Sequence, residues 1–254
     1  MLMKKVYLAF AAVLTVSGFL FSGCSKSYSE NEDITPKINV CNPFDFVGEA
    51  HNQGLDAIYH NLTATKASNV SEEEIMKLTD IFCDEIFSKD ERFFVDNLVT
   101  KSGEFDTDYA EEEVSISEEV SNYIDEIVSV ASTENYDYIK EKFLSFEEDI
   151  ILNKATNFTE YETSLLLCSL AIGKYSNEYW KDYNVSTKSA GGELVGADLG
   201  GAIAGIKKHA VEILLCTAIG GVGSGLAAAG KSAIGPALGA SAIAGISIGM
   251  GELF

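Results

Sequence analysis

The last quarter of the chain is rich in glycine and almost free of charge. Residues 189–254 hold 16 of the 22 glycines, and from residue 213 to residue 251 the only charged side chain is Lys231. Uncharged runs of 18 and 20 residues, 213–230 and 232–251, lie on either side of this lysine. Because about 20 apolar residues suffice to cross a bilayer as a helix, we expect each run to span or nearly span a membrane.

Small residues recur at every fourth position of this tail, which we define as residues 189–254. Such spacing lets helix backbones approach closely and is typical of helices that associate in lipid. The alternative is a glycine- and alanine-rich hairpin in the core of a soluble domain, and in both cases Lys231 and Pro236 suit the turn between two helices. The candidate zipper glycines are Gly192, Gly196, Gly200, Gly201, Gly205, Gly221, Gly225, Gly235, Gly239, Gly245 and Gly249.

The N-terminus has the layout of a cleaved secretory signal. Lys4 and Lys5 precede an apolar stretch, 6–21, and the small residues Ser22 and Gly23 come directly before Cys24. This arrangement resembles a bacterial lipoprotein signal, which implies that Cys24 becomes the first residue of the mature protein and carries fatty acids such as palmitate. An uncleaved anchor helix is disfavoured because the apolar stretch is short and a polar segment follows it at once.

Charge is unevenly distributed along the mature chain. Residues 25–188 hold 35 acidic and 13 basic side chains, whereas the tail holds four and three. This balance argues against nucleic-acid binding, which relies on lysine and arginine to neutralise phosphates. We predict four regions: a lipoprotein signal peptide at 1–23, a lipidated flexible tether at 24–42, an acidic helical domain at 43–188, and a membrane-active glycine-zipper tail at 189–254.

The acidic domain reads as helical, so we predict an all-α fold that ends in an apolar helical hairpin. Ser71 with Glu74, and Thr159 with Glu162, have the spacing of a capping box, and Ser117 is a further cap. Apolar residues recur at helical spacing after each of them. The predicted helices cover residues 44–62, 72–88, a segment after Ser117, 136–154 and a segment after Thr159, and an acidic loop is predicted at 101–113.

No arrangement of residues indicates catalysis, and we predict a protein without enzyme activity, cofactor or metal. His51 and His60 are interpreted as ordinary surface or cap residues, and no pair of cysteines has the close spacing of a zinc site. Outside the cytoplasm, disulfides can persist. Four cysteines besides Cys24 allow three pairings, with a free buried thiol at the last of them as the alternative: Cys41, Cys83, Cys168 and Cys216.

Arg92 is the only arginine in the chain. A surface salt bridge of little energetic value is one interpretation of this residue. Alternatively, an arginine-specific protease would find a single site here and would split the acidic domain in two. Cys41 and Cys83 precede this site and Cys168 and Cys216 follow it, so a disulfide across it would hold the two pieces together.

The lipoprotein signal ending at Cys24, the acidic helical domain and the glycine-rich tail together resemble the lipoprotein bacteriocins of gut Bacteroidales. The acidic residues Glu30, Glu32 and Asp33 also resemble a signal that sends Bacteroidetes lipoproteins to the cell surface. The resemblance implies an antibacterial toxin, lipid-anchored on the producer's outer membrane or released from it. A clostripain-like cysteine protease would activate it by cutting after arginine, with Arg92 as the candidate position.

The expected partners follow from this resemblance and from the tail. They are membrane lipid, bound through Cys24 and the tail, the activating arginine-specific protease, a receptor on the target cell, and further copies of the chain; nucleic acid is not among them. Cutting would free the tail to insert into the target-cell envelope as a helical hairpin. The alternative function is a non-catalytic structural or binding lipoprotein of the outer membrane, whose tail stays packed.

Overall fold

The computed structural model describes residues 41–64, 71–93, 114–133, 135–154, 157–182 and 188–247. Within these ranges every regular element is a helix, which confirms the predicted all-α class. A 3₁₀ turn, Glu91–Phe93, follows the second helix, and a π-helical turn, Ile150–Lys154, extends the fourth. The α-helices are α1 Asp45–Ala64, α2 Glu72–Lys89, α3 Glu118–Ala131, α4 Tyr136–Asp149, α5 Glu160–Asp182, α6 Lys188–Lys208 and α7 Ala210–Ser247.

Three helices begin where the sequence predicts, because a side-chain oxygen caps the first turn of each. At the start of α2 the backbone N–H of Glu74 donates to Ser71 Oγ over 3.3 Å, and the N–H of Ser71 donates to Glu74 Oε2 over 3.0 Å. Thr159 and Glu162 form the same reciprocal pair at α5, over 3.2 and 2.9 Å. Ser117 caps α3. The predicted loop at 101–113 lies outside the described residues.

Helix α5 lies at the centre of the fold and packs against α1, α4, α6 and α7. Most of its side chains are buried, and Trp180 is fully so. The Trp180 ring stands edge-on to Tyr59 of α1, with 5.5 Å between ring centroids. Gly48 brings the same two helices together, since a β-carbon at that position would lie 2.7 Å from the backbone oxygen of Ala171. Tight packing around α5 therefore sets the positions of the other helices.

The tail belongs to the same core as the acidic domain. Asn42–Phe254 forms one compact unit. Full burial of one leucine or isoleucine side chain contributes about 1.5–3 kcal/mol to the stability of the fold. The arrangement corresponds to the alternative in which the glycine-rich segment is a buried hairpin. Fully buried side chains of α6 and α7 include Leu194, Leu199, Ile206, Ile234 and Leu238.

The turn predicted at Lys231 and Pro236 is not present. Lys231 and Pro236 both lie inside α7, and the helix is instead broken at Gly221, where φ is 79° and ψ is −175°. Residues with a β-carbon rarely adopt this backbone conformation, so Gly221 permits the break. Pro236 removes only one helical hydrogen bond, the one to the carbonyl of Ser232, and the helix continues through it.

Among the residues that the structure describes, no helix combines the length and the apolarity needed to cross a membrane. The end of the run 232–251 lies outside the described residues.

Candidate functional site

Arg92 lies in the 3₁₀ turn after α2, with about half of its side chain exposed (48%). Its guanidinium donates to both carboxylate oxygens of Asp90, with distances of 2.8 to 3.0 Å, and to Oε2 of Glu49 on α1 over 3.2 Å. The hydrogen bonds from Arg92 hold the pKa of the Asp90 carboxyl below its ordinary value. Arg92 is thus a surface ion-pair residue that is also accessible from solvent.

The next residue, Phe93, is completely buried. Its ring centroid lies 5.1 Å from those of both Phe46 on α1 and Phe87 on α2. The guanidinium of Arg92 covers the outer face of this aromatic group, 5.2 Å from the Phe46 centroid. The peptide bond between Arg92 and Phe93 therefore joins an exposed cation to a fully buried ring. Phe93 was not among the predicted site residues, although its position directly after the lone arginine was a signal in the sequence.

Phe93 also contacts the tail. A β-carbon on Gly230 of α7 would lie 3.1 Å from Phe93 Cε1 and 2.9 Å from Val47 Cγ2. The adjacent Lys231 places its ammonium 5.5 Å from the centroid of Phe87. Since Gly230 has no side chain, the aromatic ring rests on the backbone of α7. The candidate cleavage position is thereby in physical contact with the glycine-rich helix that it would release.

The glycines of the predicted zipper do not form one continuous ridge. Gly201 and Gly205 face the backbone of α7 at Pro236 and Ser232, so closely that a β-carbon on either would overlap a carbonyl oxygen. The remaining contacts of zipper glycines are between Gly192 and the carbonyl of Thr133, Gly225 and Thr217, Gly235 and Cys83, Gly239 and Met76, and Gly245 and Tyr59.

Only part of the glycine stripe predicted along one side of α6 makes close contacts with other residues. Gly196 and Gly200 have no neighbour within 4 Å of an added β-carbon, because this side of α6 does not face another described helix. Gly221 likewise has open space around it and serves the helix break. Gly249 lies outside the described residues. The four-residue spacing thus identified close helix contacts, but it did not identify which glycines make them.

None of the predicted disulfide pairings among the four cysteines is present. Cys83, Cys168 and Cys216 are free and buried, whereas Cys41 is disulfide-bonded. Burial raises the pKa of the Cys83 thiol to about 12, with the nearby carboxylates of Asp80 and Asp84 adding to the shift. No disulfide between residues of the described part bridges Arg92. Cys24, the predicted lipidation site, lies outside the described residues.

A buried polar cluster joins the tail to α1 and α5, and the sequence analysis missed it. His51 is fully buried rather than a surface or cap residue, and its Nε2 lies 3.0 Å from Oδ1 of Asp198 on α6. The other oxygen of Asp198 accepts from Ser176 Oγ over 2.5 Å and from Trp180 Nε1 over 3.2 Å. His60, by contrast, is exposed as expected. Asp198 is therefore a buried carboxylate satisfied by three donors from two helices.

This cluster gives no access to a substrate, because all of its members are buried. In the part of the chain that the structure describes, no group of three histidine, cysteine or carboxylate side chains could hold a metal ion. Comparison with protein-family models, with curated proteins and with solved structures found no match. The Arg92–Phe93 junction and its contact with α7 therefore form the candidate functional site.

Proposed function

We propose that this chain is a lipid-anchored antibacterial toxin whose tail is stored in the core of the protein and released by a cut after Arg92. The tail would act on the envelope of the target cell as helices that pack through glycine contacts. The lipoprotein-like N-terminus and the family resemblance give the setting, and no catalytic centre is required. An arginine-specific protease is the activating partner in this proposal.

One observation carries the proposal: the lone arginine is exposed, and the residue after it is buried against α7 at Gly230. A protease needs an accessible side chain for recognition, and Arg92 offers one. Cleavage there would break the peptide bond on the N-terminal side of Phe93, the residue that rests on the tail. A random surface arginine would have no such contact with the segment to be released.

The experiment is a killing assay against a sensitive strain with matched variants. Arg92→Lys keeps the positive charge beside Asp90 and Glu49 but removes the arginine that the protease recognises. We expect the wild-type protein to kill and Arg92→Lys to lose most of that activity. Adding Lys89→Arg to the Arg92→Lys variant restores one arginine three residues earlier, at an exposed position, and should recover killing. Unchanged killing by Arg92→Lys would remove the activation step from the proposal.

A second function is favoured by the packing of the tail itself. The buried pair of His51 and Asp198 and the close contact of Gly205 with Ser232 are typical of a permanent core. In this second hypothesis the chain is a structural or binding lipoprotein, and Arg92 is an ordinary ion-pair residue. The mature protein with Cys24 replaced would then be monomeric and resistant to proteases, and it would have no effect on lipid bilayers before or after exposure to an arginine-specific protease.

A further inference from the structure

Helix α2 and the 3₁₀ turn lie over one side of α7, and we call residues 72–93 the cover. Three of its side chains rest on glycines of α7. Phe93 meets Gly230, the sulfur of Cys83 would lie 3.6 Å from a β-carbon on Gly235, and the sulfur of Met76 would lie 2.9 Å from one on Gly239. These glycines occupy one stretch of α7. The cover therefore shields a strip of the tail that has no side chains of its own.

The cover is less deeply buried than the central helix α5. Its buried side chains are Ile75, Thr79, Cys83 and Phe93. Ile81 remains 58% exposed, which is unusual for an isoleucine in a helix that contributes to a core. By comparison, α5 is buried along most of its length. Detaching the cover would thus disturb fewer buried side chains than moving α5.

The polar bonds of the cover are mostly internal. Lys77 pairs with Glu73 over 2.8 Å, and the hydroxyl of Thr79 donates to the backbone oxygen of Ile75 over 3.0 Å. Among the described residues, the only ion pair from the cover to another helix is that of Arg92 with Glu49. The ionic link between the cover and another helix is therefore at the end that holds Arg92, whereas the apolar contacts are spread along the cover.

Cutting after Arg92 would change the charges at this ionic link. The neutral peptide bond becomes a carboxylate on Arg92 and an ammonium on Phe93. The new carboxylate would stand near Asp90 and Glu49, which already share the guanidinium, while the ammonium would be attached to a buried residue. Like charges repel, and an unpaired charge is costly in an apolar setting. Both new charges oppose the original packing of the Phe93 segment.

We propose that residues 72–93 are an autoinhibitory cover, and that release of the tail begins when residues 72–92, the part that the cut separates from Phe93, detach from α7 while α1 and α5 stay in place. The inference rests on the proposed function for its biological meaning. The order in which the contacts open, with the contact between the cover and α7 first, can be measured independently of toxin activity. The cut gives residues 72–92 of the cover a free C-terminal end at Arg92, while their N-terminal end stays joined through residues 65–70 to α1. Phe93 stays with the C-terminal piece of the chain.

Thiol labelling tests the opening without any assay of toxicity. Cys83 lies on the side of the cover that faces α7, whereas Cys168 and Cys216 are buried elsewhere, on α5 and α7. After the cut, the Cys83 thiol should become exposed, and its pKa should return to about 8.5. Alkylation of this thiol at pH 8 should therefore accelerate by about 100-fold or more. The two other thiols should remain protected. Arg92→Lys treated with the same protease is the control and should show slow labelling of Cys83.

Equal acceleration at all three thiols would mean that the whole domain opens, and no acceleration at Cys83 would mean that the cover stays closed. Either result overturns the inference. Mass spectrometry of the labelled wild-type protein can measure the label on each cysteine separately, because each cysteine lies in a different stretch of the chain. The measurement uses the full mature protein cut at its single arginine.

A disulfide lock gives the functional test. Because the sulfur of Cys83 lies 3.6 Å from the β-carbon position of residue 235, Gly235→Cys is placed to bond with it. When this variant is oxidised and then cut, it should release at least about tenfold less dye from liposomes than the same cut variant after reduction. The control is Gly235→Cys combined with Cys83→Ser, which cannot form the lock and should respond equally under both conditions.

The outcomes separate the two proposals. If the locked, cut variant releases dye as well as the reduced one, the cover is not the inhibitory contact, although the toxin proposal stands. If Cys83 labelling rises after the cut but wild-type protein releases no dye, the cover opens as inferred and the toxin proposal fails.

Discussion

Gly205 of α6 lies directly against the backbone carbonyl of Ser232 on α7. The carbonyl is available for this contact because Pro236, four residues later, has no N–H to donate to it. Ser232 also turns its own hydroxyl back to the carbonyl of Ala228, over 2.9 Å. A glycine on one helix and a proline on the other thus produce a close contact that neither residue would allow alone.

Substitution at this contact should destabilise the protein. Gly205→Ala places a β-carbon against the Ser232 oxygen, and we expect a loss of about 2 kcal/mol in the free energy of unfolding. The matched control is Gly200→Ala on the same helix, where an added β-carbon meets nothing within 4 Å. That change should stabilise by up to about 1 kcal/mol, since alanine favours a helix over glycine. Denaturant unfolding measures both, and equal effects would contradict the assigned packing.

The buried pair between His51 and Asp198 should also be important for stability. His51→Ala leaves the carboxylate of Asp198 without one of its partners in a buried setting, and we expect a loss of about 3–5 kcal/mol. His60→Ala, on the same helix but exposed, should change stability by less than about 0.5 kcal/mol. Thermal and denaturant unfolding of the two variants would test this, and similar stabilities would argue against a buried role for His51.

Glu162 provides a pH-dependent prediction. Burial alone would raise its pKa, but hydrogen bonds from the backbone N–H groups of Thr159 and Ser117, together with those of their side chains, lower the net pKa. A carboxyl whose pKa is lowered in the folded state stabilises the fold fully when the pH is above its pKa in the unfolded state, about 4.3. This stabilisation is lost as the pH falls through the folded-state pKa.

Glu162→Gln should therefore cost about 1–2 kcal/mol at pH 7 and much less at pH 2. Glu160→Gln, on the exposed side of the same first turn, is the control and should have a small effect at both pH values. Unfolding curves at the two pH values give the comparison. A cost that is equal at pH 7 and pH 2 would show that the carboxylate charge is not what joins the starts of α3 and α5.

Local signals in the sequence predicted the helices well because caps act over three or four residues. Ser71 with Glu74, and Thr159 with Glu162, specify their helix starts through bonds within one turn. The position of the tail was harder to predict, because it depends on contacts between distant segments. His51 and Asp198 are 147 residues apart, and nothing near either residue indicates the other.

The candidate site was predicted in part. The uniqueness of Arg92 was visible in the sequence, but the burial of Phe93 and its contact with Gly230 required the fold. The helix break was misplaced because proline and lysine are common at turns, whereas the actual break depends on the positive φ of Gly221.

The central claim is that a cut after Arg92 converts a protein that is inert toward lipid into one that acts on it. The most direct measurement is dye release from liposomes of bacterial outer-membrane lipid, comparing the intact mature protein, the same protein after an arginine-specific protease, and Arg92→Lys after that protease. We predict release from the cut wild-type protein and none from the other two. Silence from the cut protein, or equal release from all three, would contradict the account.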